Sequence, residues 1–433
     1  MATSSTLEAT LDELLDSCAL GPALEDRLGL KITANVAGST TFTTTHPELN
    51  RLGANTPSTR LSGWFAWASD NNEERMITGV TVSSGTATVT VSGANYTVDA
   101  SSTLYILRVS IDVLRGLMND ALAELTVECK VPLAHGPDDY DLQDSDTVDT
   151  SWTETNATDT VQTTATEVWA GARSLVVTDS GSGGGYTQSG LVRIGHGKKA
   201  WAFAIGKSDT GTSALRVIDD SGNTEQTVSF TQEDWMFIKK EVTAGETDEG
   251  LRLQLLETSV SGVGDWQFAW IVKEDSRIFR LPSWADARFR IKYIARAIFD
   301  IAGDEADTWM ADSVEFKRLR ENDDYRYADN SGDANPHSVI MKPHVDLSEP
   351  LFVVIDCSWA NPYGVAAIFS TIATATLCPM RLLLPYMKKY VGERCGKMFE
   401  GIGKQGESEL KTRLPEHAIL APKKEVQVNT MMF

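Results

Sequence analysis

Seven short apolar runs set the reading of this chain: Ser174-Leu-Val-Val-Thr178, Ala200-Trp-Ala-Phe-Ala-Ile205, Ala214-Leu-Arg-Val-Ile218, Trp235-Met-Phe-Ile238, Leu251-Arg-Leu-Gln-Leu255, Phe268-Ala-Trp-Ile-Val272 and Phe289-Arg-Ile-Lys-Tyr293. They alternate or cluster between Gly, Ser, Asn and Asp turns at intervals of roughly 10 to 20 residues, which is the pattern of an all-β sandwich. From Trp152 to Phe316 the sequence therefore predicts a jelly roll of about eight strands.

Outside that module the period changes. Ser5-Thr-Leu-Glu8 fits a capping box ahead of Leu7, Leu11, Leu14, Leu15 and Cys18, which repeat as one face of a short helix. Gly63 to Leu107 alternates strictly around a tight turn at Ser84-Gly85, giving a small β-meander. Ile106 to Thr126 then reads as a helix through Ile111, Leu114, Leu117, Met118, Leu122 and Leu125. On the far side, Leu351-Phe-Val-Val-Ile355 reads as a buried strand, Val365 to Thr376 as a buried or interfacial helix, and Met380 to Leu414 as a helix weakened by its glycines. Beyond Pro415 the chain reads as an extended arm with an apolar end.

The fold class expected is thus α+β and multidomain: a helical connector part with a small β-meander and an inserted all-β jelly-roll sandwich. Residues 1–137 form the first part of the connector domain, 138–319 the insertion, and 320–433 the strand, helices and arm that complete the connector.

Composition narrows the function. At 433 residues the chain can bury a sizeable core, and its net charge of -21 repels nucleic acid unless a local patch overrides the field. One such patch runs from Arg381 to Lys424, with ten Lys or Arg against five Glu. The five cysteines are scattered at neither disulfide-framework nor zinc spacing. The amino terminus has no secretory pattern, which points to synthesis in a reducing cytoplasm.

Chemical motifs are weak. Gly206-Lys-Ser208 lacks the first glycine of a phosphate-binding loop, because that position is Trp201. Gly181-Ser-Gly-Gly-Gly185 joins two strands and offers no helix terminus to a phosphate. No two of the six histidines stand at i,i+4, and no catalytic signature appears, although Asp323 and Asp324 are the kind of acidic pair that can serve in glycoside hydrolysis. Asp144, Asp146 and Asp149 approach a calcium loop but lack its central Gly and terminal Glu, and a solvated linker is the better reading. No cofactor is expected, and no catalytic residue is assigned.

The module is also rich in aromatics. Trp201 and Trp235, alternating with Phe203 and Phe237, read as sandwich core; Trp169 and Trp266 are the candidates for facing a glycan ring.

Particular residues carry resemblances to two families. Asp307-Thr-Trp-Met-Ala-Asp-Ser-Val-Glu-Phe316, with Ala172-Arg-Ser-Leu-Val-Val177, resembles the ends of carbohydrate-binding-module jelly rolls, which implies that the first of these segments holds the module's last strand and that Asp312 helps to hold a structural calcium. The segment from Gly63 to Val98 with the following SIDVLRGLMNDALAEL, and LLLPYMKKYVGERCGKMFEG near the end, is similar to tailed-phage neck proteins of the head-tail connector (adaptor) type. That resemblance implies a structural virion protein, a homo-oligomeric ring of about twelve copies under the portal protein, an outward jelly roll, and DNA passing through the channel unbound. Docking on the portal or a neighbouring subunit would then fall to Val426, Val428, Met431, Met432 and Phe433. The alternative is a glycan-binding tail or receptor-binding protein; neither reading involves a membrane.

Overall fold

The computed structural model describes residues 5–423 apart from 20–23, 53–58, 60, 94–95, 97, 143–151, 163–167, 170–172, 182, 282–289, 300–306, 330–336, 361–367, 370–374, 377 and 379. The arm residues Val426, Val428, Met431, Met432 and Phe433, the aspartates at 144, 146 and 149, and Trp284 all lie outside the described residues.

Two compact units emerge, and their boundaries differ from the expected ones. The body of one is Thr126–Ala366; the other is Ser4–Leu125 with Ala367–Ile419. The jelly roll therefore does not stand alone between 138 and 319, because Thr126–Pro132 and Leu351–Ser358 belong to the same unit as it does.

The second unit is built on a seven-stranded sheet, in which the meander is joined by Gly29–Thr33, Val36–Ala37 and Thr41–Thr44. Its tight turn is as expected: Ser84 and Gly85 both have positive φ, the mirror-image turn that matches strand twist. The first helix is Leu7–Ser17, with Thr6 rather than Ser5 as cap, its Oγ1 accepting from Ala9 N at 3.2 Å. The next, Ile111–Glu124, starts at Ser110 and buries the expected apolar face. Its outer side faces Met380–Arg394, with Arg394 on Asp120 and Lys389 and Tyr390 on Glu124. The expected helix at 365–376 is not formed at its end, where Ala375–Thr376 pairs as a strand with Ser5–Thr6. The late helix breaks at Gly396 and resumes as Glu400–Lys423. Its glycines do more than weaken it: a Cβ on Gly392 would sit 2.4 Å from Gly403 Cα, so these residues let two backbones touch.

In the first unit the sandwich consists of two six-stranded antiparallel sheets. The outer sheet runs Thr153–Thr155, Gly185–Gln188, Gly250–Glu257, Ser213–Asp219, Thr224–Phe230, with Val192–Arg193 also on Gly250–Glu257. The middle sheet runs Ala157–Gln162, Ser174–Asp179, Val263–Lys273, Lys199–Thr210, Met236–Thr243, Thr308–Met310. Between them lies a core of Leu215, Val217, Leu251, Leu253 and Leu255 from one sheet against Ala200, Ala202, Ala204, Ile238 and Ile271 from the other.

A strand's side chains alternate between faces, so Trp201, Phe203 and Ile205 must point away from that core. They enter a second one, with Phe237, Phe268, Trp270 and Val272, closed by a third sheet of Glu315–Arg318, Arg290–Ile298, Leu351–Ser358 and Thr126–Pro132. Phe352 sits 5.9 Å from both the Phe237 and the Trp270 ring, edge to face. The expectation that Trp201 and Trp235 fill the sandwich is thus corrected: Trp201 lies in the second core and Trp235 packs half-buried against it. The described part of the seventh predicted run, 290–293, and the Glu315–Phe316 segment likewise belong to the third sheet, not to the jelly roll, whose edge is closed by Thr308–Met310.

Candidate functional site

Both tryptophans chosen as glycan-facing are covered. Trp266 is 0% exposed, lodged in the sandwich core edge to face with Phe230, and Trp169 is 7% exposed, edge to face with Phe268 under the second core. Neither offers an open ring face. The reason is local: a register shift pairs Ile205 with Phe268 but Gly206 with Trp266, so Trp266 turns to the face opposite Phe268, and its ring lies over Gly206, where a Cβ would stand 2.6 Å from Cε3.

Two sheets have four faces, of which two make the sandwich core and one is closed by the third sheet. Only the outward face of the outer sheet is left without a described sheet or helix over it. Strand register writes out its side chains. Thr153, Gln188, Gln254, Arg216 and Thr227 form one row across the strands, Thr155, Tyr186, Leu256, Ala214 and Ser229 the next, and Arg252, Ile218 and Thr224 flank the first. Gln254 Nε2 donates to Gln188 Oε1 at 2.8 Å, and Arg216 Nη1 donates to Gln254 Oε1 at 3.3 Å. The row is therefore a chain of planar groups held in fixed orientation, on a floor of Leu256 and Ala214. Tyr186, Gln188, Arg216 and Arg252 are half-buried, and Gln254 between them is buried.

Reasoning from the sequence does not single out this face. Its signal lies in Ala214-Leu-Arg-Val-Ile218 and Leu251-Arg-Leu-Gln-Leu255, where Arg and Gln occupy the alternate positions.

The other candidates have structural occupations. The glycine-rich loop at 181–185 directs its amides to its own carboxylate: Asp179 accepts from Gly181, Gly183, Gly185 and Ser261 N at 2.8–3.0 Å. Those bonds, led by the one from Gly183, hold Asp179 below the usual carboxylate range. Lys207 is in mid-strand, 4% exposed, with Nζ 3.0 Å from Asp265 and 2.6 Å from Asp209. Beside it, burial raises Asp265 against the opposing pull of Lys207, and lifts Glu257 to about 8, although Ser213 Oγ donates to Glu257 at 2.8 Å. Asp324 accepts from Arg320 N at 2.7 Å and meets His344 Nε2 at 3.0 Å, closing the loop at 320–324 rather than facing a second carboxylate. The cysteines are buried and form no disulfide among the described residues, and burial pushes Cys18 up to about 12.

For a metal, Asp219, Glu225 and Asp248 bring carboxylate oxygens within 4.8 Å of one another. Asp219 is already bound by Asn223 through N and Nδ2, both at 2.7 Å, and Asp248 by Gly245 N at 2.9 Å. Asp219 and Asp248 are thus each tied to their own turns by hydrogen bonds.

No family model matches the chain. No curated protein matches it either. Among solved structures, a Family 16 Carbohydrate Binding Module-2 is 12% identical over 30% of this chain and 99% of its own, with a TM-score of 0.24. A CBM22-1 xylan-binding domain from Paenibacillus barcinonensis is 14% identical over 35% and 97%, with a TM-score of 0.25. The enzymatically active domain of tailspike protein 4 from bacteriophage CBA120 is 14% identical over 28% of this chain and 19% of its own, with a TM-score of 0.22. At such scores no function passes from those proteins to this one, and the functional reading has to come from the face itself. No described helix is long and apolar enough to cross a membrane.

Proposed function

We propose that this chain is a non-catalytic glycan-binding protein and that the open face of its outer sheet is the binding surface. The observation that carries the reading is the hydrogen-bonded row Gln188, Gln254, Arg216 beside Tyr186, on the sandwich face that no described element covers. Sugars present hydroxyls in fixed pairs along a flat, partly apolar ring. Planar amide and guanidinium groups whose directions are already set recognise such pairs at low ordering cost, and an aromatic side chain supplies the apolar contact.

The setting we propose is a tailed-phage tail or receptor-binding component, a homo-oligomer exposed on the virion. It rests on the phage-like segments at 60–130 and 350–433. A portal-adaptor ring is supported less well, because the helices assigned to its wall, Ile111–Glu124 and Met380–Arg394, engage polar side chains with each other.

A glycan array tests the first claim. Binding that falls at least tenfold in Tyr186→Ala and Gln254→Ala, and is unmoved by changes on the third sheet, supports the face; no binding removes the reading. Electron microscopy of labelled virions tests the second, where a collar between head and tail would restore the adaptor.

A further inference from the structure

The open face carries two guanidinium groups that nothing on it balances. Among the described residues the Arg216 side chain bonds only to Gln254, and its Nε is shielded from solvent with no described partner, an unmet donor of the kind that calls for an explanation. Arg252 has no hydrogen bond or ion pair among the described residues. Register makes the two diagonal neighbours, since Arg216 stands opposite Gln254 and Arg252 opposite Ile218, a separation of about 7–8 Å in a sheet. No Asp or Glu occurs in any of the three rows of the face. In a chain of net charge -21, an acid-free surface with two unpaired arginines departs from its surroundings.

The geometry points to a glycan whose repeat carries a carboxylate-bearing sugar among neutral ones, the carboxylate seated between Arg216 and Arg252. Guanidinium groups match a carboxylate's two oxygens, and a bound carboxylate would meet the donors left open. Tyr186, Gln188 and Gln254 are then left for the neutral neighbours in the sugar chain. A homopolymer charged at every residue fits less well, because the acidic remainder of the protein repels it along its length. This inference rests on the glycan-binding reading and specifies the ligand of that same face.

The test uses the full-length protein and calorimetry or affinity electrophoresis with hyaluronate and xanthan oligosaccharides. Each is compared with its carboxyl-reduced form, with polygalacturonate as the charged homopolymer. Binding of an acidic form that falls at least tenfold on carboxyl reduction, and likewise in Arg252→Gln and Arg216→Gln, is the expected result; Arg252→Gln removes no hydrogen bond or ion pair among the described residues, so its fold is expected to be kept. Reduced and acidic forms binding equally well would overturn the carboxylate site while leaving the glycan-binding face standing. Failure of every acidic and neutral sugar, with both variants folded by circular dichroism, would overturn both.

Discussion

The two sheets of the sandwich turn opposite kinds of surface outward. The middle sheet presents Trp201, Phe203, Phe237, Phe268 and Trp270, and a third sheet covers them; the outer sheet presents Tyr186, Gln188, Gln254, Arg216 and Arg252, and no described element does. Aromatic density therefore marks the face that packs, while mixed planar polar groups mark the face that is free to bind. The difference follows from energetics. An exposed row of five aromatic rings would leave several hundred Å² of apolar surface in water, and burying it, at about 25 cal/mol per Å², gives the lower free energy. A polar row gains little by being covered, since each group must find a new partner or lose its hydration.

Breaking the closed face should have the largest effect. Trp270 is 0% exposed and touches Phe203, Phe237 and Phe352, so Trp270→Ala is expected to cost about 3–5 kcal/mol, read as a fall in the urea midpoint. A loss below about 1 kcal/mol would mean the third sheet does not close this core. Gly206→Ala comes next, because the new methyl would meet the Trp266 ring at 2.6 Å; overpacking of this kind costs roughly 1–3 kcal/mol, and paired Gly206→Ala with Trp266→Phe should recover part of it.

Much of this contrast is legible in the sequence, and part of it is not. The six runs from Ser174 to Val272 are strands of the sandwich. Ala200-Trp-Ala-Phe-Ala-Ile205 and Phe268-Ala-Trp-Ile-Val272 are continuous rather than alternating, which is how strands buried on both faces read. That continuity signals a third layer, and it explains why Trp201 is not in the sandwich core. What no local pattern specifies is which sheet each strand joins: Arg290–Ile298 pairs with Leu351–Ser358, more than fifty residues on. The open face is hidden for the same reason, since Gln188, Gln254 and Arg216 become neighbours only through register.

A smaller effect separates the inner chemistry of the sandwich from both faces. Glu257 is 0% exposed and keeps its proton up to about pH 8, whereas in the unfolded chain it ionises near the usual value of about 4.3. Between those values the native state binds the extra proton. Stability from this group is therefore full at acid pH and lost as pH rises towards 8, at no more than about 1.4 kcal/mol per pH unit. Asp265, also raised by burial, adds in the same direction. Asp179 has the opposite sign: its depressed value contributes stability at neutral pH that is lost as acid protonates it. Urea midpoints at about pH 5 and about pH 8 should show the decline, and Glu257→Gln should flatten it; an unchanged slope in that variant would assign the decline elsewhere.

The smallest effect on stability belongs to the open face and is the sharpest check on the comparison. Tyr186 is half-buried, its hydroxyl makes no hydrogen bond among the described residues, and it stands opposite Thr155 and Leu256 in register. Because Tyr186 is only half-buried, Tyr186→Ala is expected to cost about 1 kcal/mol, well below a core truncation. The same change should abolish most glycan binding, because the ring is the apolar contact of the site. Trp270→Ala should do the reverse, unfolding readily while whatever stays folded keeps its affinity. If Tyr186→Ala instead destabilises the chain as much as a core truncation does, then its face is covered in the assembled protein. The distinction between the closed and the open sheet would then fail at the residue on which the functional reading most depends.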